Sequence, residues 1–200
     1  MPAPRPSQVD TWQRAEKNAA AWMRWWGHAD ARDTGQGADG GIDVRAETAL
    51  GQVKTDAHNV GRPALQRLVG ARGRNHDQAL FFFSGFGFSR QAIEYADDME
   101  IALFRFALNG AMSPVNEAAR VVLSWVELRE AQAARAREVA TQTAAPFRRP
   151  TTPRPTQQAH RTPAPGTATS AAAPEEPLSA WEQIRKDFRA AQERHRRRPG

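Results

Sequence analysis

The sequence has no cysteine. Disulfides and thiol chemistry are excluded, and the cytosol is the expected compartment. Lysine is scarce too: of 28 basic residues only Lys17, Lys54 and Lys186 are lysine. In a chain that otherwise uses arginine, a lysine inside a strand asks for a reason. No apolar run is long enough to span a bilayer, and the opening Met-Pro-Ala-Pro-Arg-Pro has no apolar stretch of the signal-peptide kind, so no membrane association is expected. Large apolar residues all but vanish over residues 141–177, where Pro, Thr, Ala and Arg dominate. That composition cannot bury a core and predicts a disordered linker.

What is present is unevenly spread. Hydrophobic residues make up 40% of the 200, enough for one domain with an appendage. Residues 1–126 carry 14 basic and 14 acidic residues, whereas residues 127–200 carry 14 basic and 8 acidic, so the whole net charge of +6 lies in the tail. A basic tail can supply sequence-independent attraction to phosphate, or can simply be a solvated extension. The division expected is a globular domain over 1–128, a helical extension over 129–140, the linker over 141–177 and a basic amphipathic helix over 178–198. In that helix Trp181, Ile184, Phe188 and Ala191 form a narrow stripe. Three roles stay open for it: docking back on the domain, binding a partner protein, or meeting nucleic acid.

Within the domain, Asp10 can cap a helix over 11–27 whose apolar positions include Trp12, Ala15, Ala19, Trp22, Met23 and Trp26. Residues 28–33 alternate weakly, as a strand would. A glycine-rich turn at 35–41 leads into strands at 42–46 and 50–54, joined by a tight turn. Pro63 starts a helix ending near Gly73. Strands at 79–83 and 101–106 flank a helix capped by Ser89. Pro114 opens a last long helix, fraying past residue 140. Strands joined through helices run parallel by right-handed crossovers, while the early hairpin is antiparallel. The expected fold is therefore α/β, with a mixed sheet covered by helices on both faces.

The chemistry concentrates in Gly40-Gly41-Ile42-Asp43-Val44 and Gly51-Gln52-Val53-Lys54. Gln52 and Lys54, two apart on a strand, share a face. A hairpin would bring Asp43 to the same place. An acid, a neutral oxygen and a cation at a sheet edge suit a hard metal ion and a phosphate. Each residue also has a plainer account. An acid after two glycines is ordinary turn chemistry, a strand-end lysine reaches water, and Gln52 can be a satisfied edge residue. Glu16 can serve the helix dipole, and Arg62 can line the surface. Ser84, ending a buried strand, is read as structural. The five histidines show no zinc spacing.

The pieces come in a telling order: Glu16 on a helix, Gly-Gly-Ile-Asp, Gln-Val-Lys, then Val60-Gly61-Arg62-Pro63-Ala64-Leu65 opening a helix. Phe81-Phe82-Phe83-Ser84-Gly85 follows, then Phe88-Ser89, Glu94-Tyr95-Ala96 and Ile101-Ala102-Leu103. This set resembles the Mrr-like restriction endonuclease catalytic domain, a branch of the PD-(D/E)XK nuclease superfamily, over about residues 12–106. The resemblance implies a restriction-endonuclease-like mixed sheet with an αβββαβ core. It implies that Asp43 binds a divalent metal, Mg²⁺ or Mn²⁺, with Glu16 and with Gln52, which stands where most of the superfamily has a carboxylate. Lys54 then orients the attacking water or stabilises the charged phosphate, and Arg62 is a candidate DNA contact. The expected function is metal-dependent cleavage of DNA in restriction or defence, with a homodimer suited to cutting two strands. The rivals are a nuclease fold that holds DNA without cutting it, and a protein acting through a partner bound to the 178–198 helix.

Overall fold

Thr11, one residue after the expected Asp10, caps the first helix. Its side chain accepts from the Arg14 amide, while Asp10 instead pairs with the Arg14 guanidinium. The computed structural model describes residues 3–35 and 41–143. Gly40, most of the 141–177 linker and the 178–198 helix lie outside the described residues. The chain divides into two units, and the fold described here is that of residues up to 130. The elements are α1 (Trp12–Trp26), β1 (Arg32–Asp33), β2 (Val44–Arg45), β3 (Ala49–Lys54), α2 (Arg62–Arg72), β4 (Ala79–Ser84), α3 (Arg90–Asp98), β5 (Ile101–Phe106), β6 (Met112–Pro114) and α4 (Glu117–Thr143).

The strands form one six-stranded sheet in the order β1-β2-β3-β4-β5-β6. β3, β4 and β5 are parallel, and the remaining pairings are antiparallel. β4 is the centre: Ala79 through Ser84 are all buried, as a strand covered on both faces must be. Phe81 and Phe83 face the side covered by α1 and the start of α4. Phe82, alternating, faces α2 and α3. Burying each of these rings stabilises the fold by about 1.5–3 kcal/mol. Trp26 of α1 closes the first face, stacked on Phe104 with ring centroids 4.2 Å apart. The tryptophans do not all join this core, since Trp12, at the start of α1, is exposed.

Three expected boundaries shift. The strand expected over 42–46 is only Val44–Arg45, and that over 28–33 only Arg32–Asp33. Pro114 does not open the last helix. It lies in β6, at the edge of the sheet where its missing N–H is harmless. Asn116 makes the start instead: its Oδ1 accepts from the Leu103 and Ala119 amides, and its Nδ2 donates to Ile101 O and Asp97. Buried at 2% exposure, Asn116 locks α4 to β5. α4 then runs to Thr143, three residues into the stretch assigned to the linker. No helix among the described residues is long and apolar enough to cross a membrane.

Candidate active site

β3 sets the frame. Its alternation sends Leu50, Gln52 and Lys54 toward the α2/α3 face, and Ala49, Gly51 and Val53 toward α1. Gly51 is small for a reason. A Cβ there would meet Met23 Sδ at 3.0 Å, with Phe83 and Val44 side chains at 3.2 Å. Met23 nests over the bare backbone and draws α1 down onto the sheet. Glu16, two turns earlier on the same helix face, comes down with it and is only 8% exposed. Glu16 lies in the second turn of α1, so a role in complementing the helix dipole falls away.

Asp43 sits at the edge between the two faces. Its backbone N–H donates to Gly51 O at 2.9 Å, and its carbonyl accepts from Thr34 at 3.0 Å. The backbone is thus gripped from β3 on one side and from the chain after β1 on the other. The carboxylate lies along the strand edge, where Oδ2 accepts from the Val53 amide at 2.7 Å. On a strand a residue's carbonyl leaves on the same edge as its N–H, so the Val53 oxygen faces this place as well. Gly41 has φ 85, and a Cβ on it would lie 2.9 Å from Gln52 Nε2, so the amide packs against a backbone that only glycine leaves open.

The electrostatics tie these groups together. Burial, and then the charges of Asp43 and Asp33, push Glu16 up to about 7. Burial also raises Asp43, against the Val53 hydrogen bond and the charge of Lys54, both of which lower it. Lys54 is half-buried at the end of β3 and forms no ion pair among the described residues. Asp43 thus acts on Glu16 on one side and feels Lys54 on the other. Arg62 does not join them: it is exposed, its guanidinium 4.8 Å from the Tyr95 ring centroid. Ser84 is structural, its hydroxyl holding the following turn through Phe86 N, Gly87 N and Gly87 O. His58 is an exposed loop residue. Asp33 is the acid that sequence reasoning missed. The available signal was an acid ending the weak alternation at 28–33, and register places it opposite Val44, next to Asp43.

The donors fit a hard divalent cation. Burial raises both carboxylates, and the charges of Asp43 and Asp33 raise Glu16 further, so the place favours added positive charge. No group of three His, Cys, Asp or Glu side chains among the described residues forms a ready-made cage. A hard divalent cation that keeps part of its water shell, as Mg²⁺ does, needs only a few protein oxygens.

The geometry is a mixed sheet flanked by helices, with the Asp43 carboxylate held at the Val53 edge of β3 and Lys54 at the end of that strand. Residues 9–107 match the Mrr catalytic family, described as restriction endonuclease. The match runs from just before α1 to just past β5. No curated protein and no solved structure matches the chain.

Proposed function

We propose that the chain is a Mg²⁺- or Mn²⁺-dependent DNA endonuclease acting in restriction of, or defence against, foreign or modified DNA. The observation that carries this reading is the Asp43 carboxylate held by the Val53 amide at the end of β3, beside the strand-end Lys54. Asp43, Glu16, the Gln52 side-chain oxygen and the Val53 carbonyl would hold the cation. When bound, it supplies Lewis-acid polarisation and neutralises charge on the phosphate. The chain does the rest. The Val53 amide fixes the Asp43 carboxylate. Gln52 offers oxygen without charge, which relieves crowding among the acids. Lys54, a point charge on a flexible stem, holds a phosphate oxygen or the attacking water. Glu16, pushed up to about 7 by burial and by Asp43 and Asp33, would be deprotonated as a ligand of such a cation. Two copies would serve the two strands of a duplex.

Plasmid nicking with and without Mg²⁺, on methylated and unmethylated DNA, tests the reading, with Lys54→Ala alongside. Metal-dependent cleavage lost in the variant supports it. Cleavage retained in Lys54→Ala removes its basis. Removing residues 141–200 should keep the chemistry and at most lower affinity.

One observation favours a second reading, a domain that holds DNA without cutting it: β3 offers the uncharged amide of Gln52 rather than a carboxylate. Calorimetric titration with Mn²⁺ discriminates, because a silent site with no cation affinity shows no heat that depends on Asp43.

A further inference from the structure

The zero net charge of residues 1–126 conceals a separation. α2 and the turn after it carry Arg62, Arg67, Arg72 and Arg74 with no acid among residues 62–74, while residues 90–100 carry Glu94, Asp97, Asp98 and Glu100 against Arg90 alone. α2 and α3 pack side by side, so the surface has a basic helix next to an acidic one. Arg62, Arg67 and Arg74 are exposed, and none is in an ion pair among the described residues. They fall at the start, in the middle and just beyond the end of α2, spread over about 17 Å at 1.5 Å per residue.

Gly70 gives this face its second feature. Glycine inside a helix costs stability relative to alanine and is usually kept for close packing. Here a Cβ would meet nothing within 4 Å, and the residue is exposed. It lies nearly opposite the buried Ala64, Leu65 and Leu68, one turn on from Arg67. Inside the fold nothing requires glycine at this place. Something outside that must come close to the helix backbone would. The start of α2 adds to this: Gly61 offers no side-chain cap, and no acid sits in the first turn, so the positive end of the helix is uncompensated.

The face is also continuous with the site. Val60, just before α2, is bridged to Phe88, and the Val60 amide donates to Gly87 O. Ser84 holds Gly87 and is the register partner of Lys54. α2 therefore sets out from the strand-end edge where Lys54 lies, on the side of the sheet to which Lys54 points.

Resting on the nuclease reading, we propose that the exposed face of α2 carries the sugar-phosphate backbone of the DNA duplex as it leaves the site. Arg62, Arg67 and Arg74 meet phosphates, and Gly70 leaves the room for close approach. Stacking on Tyr95 holds the Arg62 guanidinium in place for this contact.

The test uses the full chain in metal-free buffer, so that binding is read without cleavage, with a labelled duplex and fluorescence anisotropy across a salt series. R67A/R74A changes only exposed side chains. It should weaken binding equally on duplexes of different sequence and reduce the slope of log K against log[salt] by about two. Gly70→Glu should keep or raise the thermal midpoint, glutamate being the better helix former, and still lower DNA affinity. An unchanged salt slope in R67A/R74A, or unchanged affinity in Gly70→Glu, overturns the inference, as does a parent chain that binds no duplex. Loss of a salt-sensitive dimer in R67A/R74A with DNA binding intact also overturns it, because the face would then serve the acidic α3 of a second copy. Cleavage is assayed separately with Mg²⁺. A parent that binds duplex through α2 but never cuts sinks the nuclease reading and leaves this one standing.

Discussion

The Val53 amide donates to Asp43 Oδ2 at 2.7 Å, so one backbone group of β3 orients the acid just before β2. Asp43→Asn keeps an acceptor for this amide and removes only charge. It should fold with the parent's thermal midpoint or a higher one, because a desolvated carboxylate is lost. Plasmid nicking should nonetheless disappear. Lys54→Ala, at the end of the same strand, should cost a hundredfold or more, about what a missing transition-state donor costs. Gln52→Glu should retain activity. Its complete loss in a folded variant would mean that the neutral amide is required.

Gly41→Ala strikes the site from behind. The new Cβ would lie 2.9 Å from Gln52 Nε2, at a φ of 85 that alanine resists. The variant should lose about 1 kcal/mol or more of stability, and it should need more Mn²⁺ for half-maximal cleavage. A metal titration that overlays the parent's would show that Gln52 has no part in holding the cation.

Ser84→Ala separates turn from chemistry. The hydroxyl accepts two amides in a fully buried place, and leaving them unsatisfied costs about 1–3 kcal/mol. Urea unfolding should show that loss, while cleavage per folded molecule stays at the parent's rate. A large fall in the rate with unchanged stability would place Ser84 in the chemistry.

His28 and Glu16 titrate in opposite senses. Burial lowers His28 to about 4, against the pull of Asp30. Its folded value lies below the ordinary 6.5, so between pH 6.5 and 4 the unfolded chain takes up the extra proton, and stability falls as the pH falls. Glu16, at about 7 against an ordinary 4.5, does the reverse, since the folded chain takes up the proton and stability rises as the pH falls from 7. Glu16→Gln removes the second effect alone. The variant should be more stable than the parent at pH 8, and its own stability should drop by about 2–3 kcal/mol between pH 6.5 and 4.5. Urea unfolding at three pH values checks this. A variant whose pH profile parallels the parent's would place the proton elsewhere.

The elements legible in the sequence were those whose signals are local and strong. Gly27 stops α1 with φ 120, Ser89 caps α3, and the run from Ala79 makes β4 unmistakable. What escaped depends on contacts between distant residues. β2 is short because Asp43 turns its N–H and its carbonyl to different neighbours, which no alternation pattern encodes. β6 is three residues long and includes a proline. The burial of Glu16 follows from the nesting of Met23 on Gly51, 28 positions along the chain, and the nearness of Asp33 follows from register. Glu16, Asp43, Gln52 and Lys54 are proposed from their order in the chain, whereas the influence of Asp43 and Asp33 on Glu16 needed the fold.

The strand order of the sheet is also the order of the chain. No strand has to be threaded between two already paired, so the sheet can lengthen from one side as the polypeptide leaves the ribosome. Every residue of the proposed site lies within the first 54, yet several ties of the helix that bears Glu16 reach later arrivals. Val9 is tied to Leu108, Asn18 and Trp22 to Gly110, and the Trp25 carbonyl to Arg129. On the proposed reading, a nascent chain holds all the site residues well before the last ties of the domain that positions them can form.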